Sequence, residues 1–119
     1  MSKIYKIEYL NGITRVNFTD KPSYKETTVI IDDIAENYPY EKRLWDLTGS
    51  NFNFIEQEII DIAKYGKSKF IKPSKIAIIA PNDIAYGEMR QFMVYREEEN
   101  KADACVFRTE EEAINWLNQ

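Results

Sequence analysis

Apolar and polar positions alternate twice near the start of the chain. Ile4, Ile7 and Tyr9 form the first run and Ile13, Val16 and Phe18 the second, where the alternation is imperfect but Arg15 and Asn17 flank Val16. Asn11-Gly12 separates the runs, and both residues tolerate positive φ, so the pattern predicts a β-hairpin with strands over about 3–9 and 12–19. The period then lengthens. Ser23 and Glu26 have capping-box spacing behind Pro22, and Tyr24, Thr28, Ile31, Ile34, Ala35 and Tyr38 recur at helical intervals. They predict a helix that ends near Asn37, ahead of Pro39.

Arg43-Leu44-Trp45-Asp46-Leu47 reads as a short buried strand. Asn53 and Glu56 repeat the capping spacing, and Ile55, Ile59, Ile62 and Ala63 mark one face of a second helix, with Gly66 as its stop. Phe70 and Ile71 are expected to fold a last turn onto the core before Pro73. The nearly unbroken apolar run over 75–80 suits a strand covered on both faces. Asn82 or Asp83 caps a third helix whose inward stripe is Ala85, Met89, Phe92 and Met93. This helix weakens at Glu97-Glu98-Glu99, where carboxylates oppose the negative helix end. A strand over 103–107 follows, and Thr109 and Glu112 open a last helix with Ala113, Ile114, Trp116 and Leu117 inward.

The order is therefore ββαβαβαβα. Strands alternating with helices imply parallel pairing through crossovers, so the expected fold is α/β, with four helices and a mixed, mostly parallel five-stranded sheet. At 119 residues the chain makes one domain over 1–119, because two separate cores would each be marginal. The hairpin leaves an edge strand that must be protected or paired, which makes a homodimer one expectation.

Composition narrows the function. With 44% hydrophobic and 30% charged residues the chain has a globular balance, which argues against disorder. The net charge of −4 repels polyanions, so no nucleic-acid partner is expected; the loose cluster Lys64, Lys67, Lys69, Lys72 and Lys75 reads as a solvated helix end. The sole cysteine, Cys105, excludes an intrachain disulfide and lies in an apolar run, where a buried, inert thiol is expected. The start of the sequence lacks a signal-peptide core and no apolar stretch is long enough for a membrane span, so a reducing, cytoplasmic location is expected.

Absent residue types say more than any motif. The chain has no histidine, which removes the commonest general base and metal ligand and every nucleophile system built on one. No glycine-rich phosphate loop occurs. No cofactor, no metal and no catalytic residue are expected. Asp46 is the best-placed acid, at the carboxyl end of a central strand, where open α/β sheets bind ligands. It serves either as a general base or phosphoacceptor, or as an acceptor for backbone N–H groups of the Thr48-Gly49-Ser50 turn, and the turn role is favoured. A receiver-type phosphoacceptor also needs acids after the first strand and a lysine after the last; Asn11-Gly12 and Arg108-Thr109 stand there instead.

The loops over 48–53 and 81–83 should meet at one end of the sheet. Thr48, Ser50, Asn51 and Asn82 are placed to ring a shallow polar pocket there, or simply to cap helices and close turns. Phe52 and Phe54 sit among polar residues, either as an exposed pair that marks a contact surface or gates an apolar pocket, or with one stapling the helix entry and the other packed below it.

The element order, the segment Leu44-Trp45-Asp46-Leu47-Thr48-Gly49 and the closing segment from Val106 to Leu117 together resemble the SpoIIAA-like family of small bacterial domains, also described as STAS/Sec14-type domains. The resemblance covers nearly the whole chain. It implies a β-α superhelix and non-enzymatic work: binding a protein partner as a regulatory module, or binding a small apolar ligand or lipid in the Sec14-like manner. Phosphorylatable members carry an Asp-Ser-Ser-Gly-like element at the start of the second helix, whereas this chain reads Asn53-Phe54-Ile55-Glu56, without a hydroxyl. The anti-sigma phosphorylation switch is not supported. A carboxylate enzyme centred on Asp46 is the reading furthest from this resemblance.

Overall fold

A computed structural model describes residues 4–49, 54–69, 74–97 and 103–119. Strands β1 (Tyr5–Leu10) and β2 (Ile13–Phe18) form the hairpin. They are followed by α1 (Tyr24–Asn37), β3 (Lys42–Asp46), α2 (Glu56–Lys69), β4 (Lys75–Ile79), α3 (Asp83–Glu97), β5 (Asp103–Phe107) and α4 (Glu110–Leu117). Asn11 and Gly12 both take positive φ, 54° and 80°, the twist that joins neighbouring antiparallel strands through two residues. The sheet order is β1-β2-β3-β4-β5; β1 runs antiparallel to β2 and the remaining pairs are parallel. This is the α/β architecture read from the sequence.

The two-residue period of the strands divides the core between the two faces of the sheet. Val16, Phe18, Ile76, Ile78 and Val106 face α1, α2 and α3 and pack with Ile30, Ile34, Ile59 and Met89. Ile13, Leu44, Ala77 and Ile79 point the other way and are covered by Ala113 and Leu117 of α4. Four successive β4 residues, Ile76 to Ile79, are buried, as expected of a strand sandwiched between layers. α4 has eight residues and packs chiefly on β4, with smaller contacts to β3 and β5. The hairpin side of that face stays open as a groove of about 390 Å³ beside Glu8, Leu10, Arg15 and Ile114.

Four expectations need correction. The inward face of α1 runs through Thr27, Ile30, Ile31 and Ile34, not through Thr28. Thr27 tolerates burial because its hydroxyl donates to the Ser23 carbonyl at 2.8 Å. Gly66 does not stop α2, which continues to Lys69; the glycine is buried on the inward side of the helix and lines the space between helix and sheet. β3 starts at Lys42, one residue early, and Leu47 leaves the strand while keeping the ladder through its N–H to the Ile79 carbonyl at 3.0 Å. Cys105 is half-buried, because it sits on the edge strand β5. Asn53, Phe70, Ile71, Pro73, Glu98 and Glu99 lie outside the described residues.

Helix ends follow their residues. Ser23 and Glu26 complete the capping box reciprocally, at 3.1 and 2.9 Å. Thr109 caps α4 by accepting from the Glu112 N–H at 3.3 Å. α1 and α2 are joined by the Tyr65 hydroxyl, which donates to Asp32 at 2.6 Å, and by Lys69 on the same carboxylate at 3.2 Å.

Candidate functional site

The parallel strands β2, β3, β4 and β5 end together at one edge of the sheet, and α2, α3 and α4 begin there. Two groups of side chains stand at this edge, one on each face.

Asp46 is on the α4 face. It accepts the Thr48 N–H at 3.0 Å and an Arg15 Nη2 hydrogen at 2.9 Å. Arg15 also pairs with Glu110 in the first turn of α4 and donates through Nε to Asn17 at 3.2 Å. Burial opposes the charge on Asp46, but hydrogen bonds from the Thr48 hydroxyl and backbone and from Arg15 outweigh it and hold the carboxyl below the usual carboxylate range. Burial likewise works against the Arg15 charge, and the two acids more than offset it. A depressed, doubly anchored carboxylate is a poor proton carrier near neutral pH; a general base needs the opposite shift. The arrangement ties β2, β3 and α4 together and closes the Thr48 turn.

Gly49 completes that turn. A methyl group on its Cα would overlap the carbonyl oxygen of Phe18 at the end of β2, so the loop leaving β3 crosses β2 where only glycine fits.

On the opposite face, α2 and α3 start side by side. Phe54 is buried, 6% exposed, and packs into the core, so of the two readings of this aromatic it takes the staple and not the surface contact. Its N–H donates to Glu88, one turn into α3. The second Glu88 oxygen, Oε2, is buried with no hydrogen-bond partner among the described residues. Burial pushes the Glu88 carboxyl up and nearby Glu58 adds to this, while the Phe54 N–H and Lys21 pull against them. Ile55 beside it is 68% exposed, and Ile84 in the first turn of α3 is 64% exposed. Ile84 precedes Glu88 by four residues and therefore shares its helix face. An open groove of about 340 Å³, lined by Lys21, Tyr24, Phe54 and Glu58, continues from this point toward α1.

The residues singled out from sequence thus separate. Asp46 and Thr48 are hydrogen-bonded neighbours, Phe54 lies beneath the other face, and Asn82 is exposed and caps α3 by accepting the Ala85 N–H at 2.8 Å. Ser50, Asn51 and Phe52 lie outside the described residues. Arg108 donates to the Pro81 carbonyl at 3.1 Å and to Asp83 at 2.9 Å, and stacks over Tyr86, 4.2 Å from the ring centre. It fixes the loop before α4 to the start of α3. Sequence reasoning missed Arg15, Glu110, Glu88 and the exposure of Ile84, and its placing of Ile55 on the inward face of α2 is corrected: Ile55 precedes the helix and faces solvent. The one available signal was at Ile84, which stands one position off the Ala85-Met89-Phe92 stripe.

Between the sheet and α1–α3 lies a pocket of about 50 Å³, lined mainly by apolar side chains with Thr27 and Arg43 at its wall. An apolar cavity that holds benzene measures about 150 Å³, so this space is too small for a lipid chain unless the helices move apart. Among the described residues no group of three or more acidic, cysteine or histidine side chains is placed to hold a metal, and no helix is long and apolar enough to cross a membrane.

No protein-family model matches the chain, and no curated protein matches it in sequence. Solved structures do match its shape. An uncharacterised protein of the DUF3478 family with a SpoIIAA-like fold, from Shewanella loihica, superposes with a TM-score of 0.61 at 13% identity, over 95% of this chain and 91% of that one. A candidate anti-sigma factor antagonist from Thermotoga maritima also gives 0.61, at 11% identity, over 97% and 95%. The chain has the SpoIIAA-like fold, as its element order and closing segments suggested.

Proposed function

We propose that this chain is a non-enzymatic, STAS-like regulatory module that acts in the cytoplasm by binding a protein partner at the start of α2 and α3. The observation that carries the reading is the pair of exposed isoleucines, Ile55 and Ile84, on helix starts at the carboxyl edge of the sheet. Isolated exposed apolar residues are ordinary. Two at adjoining helix starts, bordered by Lys21, Glu58 and the half-satisfied Glu88, have the make-up of an apolar contact with a polar rim. The fold is shared with a candidate anti-sigma factor antagonist, which makes a protein partner the natural class. The helix start lacks a hydroxyl over 53–56, so the proposed binding is not switched by phosphorylation there. Asn82 stands at the start of α3 beside the proposed surface, whereas Thr48 belongs with Asp46 on the other face; Ser50, Asn51 and Phe52 remain candidates by their sequence position alone.

Affinity capture from the source cells tests this. Wild-type chain should retain a defined protein, and the double substitution Ile55→Asp and Ile84→Asp should lose it while its circular dichroism is unchanged, because both side chains are solvent-facing. A partner retained equally by both forms would place the binding surface elsewhere.

A further inference from the structure

β1 is an edge of the sheet and rests chiefly on β2. It pairs residue for residue from Tyr5 to Leu10, without a bulge or proline. The two-residue turn makes Leu10 and Ile13 a hydrogen-bonded pair, and the Thr19 N–H reaches the Ile4 carbonyl at 2.8 Å. In an antiparallel ladder such pairs alternate, so Ile4, Lys6, Glu8 and Leu10 spend their backbone groups on β2 while Ile7 and Tyr9 turn theirs outward. A straight edge of this kind is a template for another strand.

We propose that the occupant is a second copy of this chain, with β1 pairing antiparallel to its equivalent about a two-fold axis at Ile7, so that the two sheets become one. The strand's own sequence selects both partner and register. Outward-facing residues must meet outward-facing residues, so a two-fold axis falls on a residue, and the registers that pair most of the strand are centred on Lys6, Ile7 or Glu8. Centring on Lys6 sets lysine against lysine, and centring on Glu8 sets glutamate against glutamate; like charges directly opposite destabilise a sheet. Centring on Ile7 sets Lys6 against Glu8 of the second copy, Tyr5 against its Tyr9 and Ile4 against its Leu10. Every pair is then complementary. Lys6 and Glu8 already converge on one face of the strand, 3.2 Å apart. Tyr9 and Leu10, 45% and 66% exposed, are the large apolar side chains that this contact covers. The interface is isologous, as closed dimers require.

Sedimentation velocity over a concentration series, together with a charge exchange, tests the proposal. Wild-type chain should dimerise. K6E and E8K, each alone, place like charges opposite one another at both symmetric positions and should weaken the dimer about tenfold or more. Mixing K6E with E8K restores both opposite-charge pairs and should return the affinity to near the wild-type value, as a heterodimer. Lys6 faces neutral Asn17 of β2, so K6E sets no like charge across the hairpin, and within the strand it gives up only the exposed ion pair with Glu8. As an independent variant, Ile7→Pro removes an outward N–H that β2 does not use and should yield folded monomer. A wild-type chain that stays monomeric up to millimolar concentration, a dimer indifferent to K6E and Ile7→Pro, or a mixture no tighter than its components would each overturn the proposal.

Discussion

Substituting Gly49 with alanine is expected to cost about 2–3 kcal/mol of unfolding free energy, in the range of overpacked sites. The added methyl meets backbone, the Phe18 carbonyl oxygen, which cannot rotate away as a side chain would. Relief must come from separating the loop after β3 from the end of β2, and that disturbs the Thr48 N–H bond to Asp46 nearby. A urea titration of wild type and Gly49→Ala reads the difference directly. Alanine at Gly87, where the structure leaves open space, should be neutral or stabilising, because it favours the helix. If both substitutions have the same small effect, the crossing of the two segments is not as close as described.

The second large effect is expected at Arg15. Changing it to leucine removes the cation that Asp46 and Glu110 share and leaves Asp46, with a side chain only 14% exposed, holding its charge on the Thr48 turn alone. Removing one member of a partly buried charged pair costs about 2 kcal/mol, much of it the penalty on the acid left behind. Asp46→Asn should cost less, since Arg15 keeps Glu110 and the amide oxygen still accepts from Thr48. The pH dependence has a definite sign. The folded carboxyl lies below its unfolded value, so its contribution is fully present above about pH 4 and disappears as pH falls through the depressed folded value. Asp46→Asn should therefore flatten the acid limb of the stability curve. An acid limb identical to wild type would mean that the Thr48 turn and Arg15 do not hold the Asp46 carboxyl below its ordinary range in solution.

Local signals carried most of the fold. The Asn11-Gly12 turn, the Ser23 and Thr109 caps, the apolar β4 run and the Ala85-Met89 stripe are each decided by residues within a few positions of one another, and each stands in the structure as expected. The misjudged features depend on distant parts of the chain. Gly66 has the local look of a helix stop, yet α2 runs on through it to Lys69, with the glycine on the side that faces the sheet. Arg15 looked like the polar half of an alternating strand; its meaning comes from parallel pairing of β2 with β3, which sets Asn17 beside Asp46 and lets Arg15 reach the carboxylate from the same face. Phe54 and Ile55 are adjacent, and nothing local says which of them is buried. The Glu88 bond to the Phe54 N–H, made from another helix, accompanies an arrangement in which Phe54 goes inward and Ile55 outward. The candidate site was thus legible as a place, the carboxyl edge of the sheet, and only partly as a set of residues.

The separation of the two faces also shapes what the domain can do. Its acids at the strand ends are spent on structure, Asp46 and Glu110 on Arg15 and Asp83 on Arg108, whereas the exposed apolar side chains at the helix starts have no such internal task. The proposed recognition draws on what that edge leaves exposed.

Hydrogen–deuterium exchange on the complex with its captured partner, compared with the chain alone, is the most direct test of the proposed recognition. Slowed exchange should concentrate at residues 54–58 and 83–88, the first turns of α2 and α3. Protection confined to α4 and the Arg15 groove, with the starts of α2 and α3 exchanging as in the unbound chain, would contradict the account.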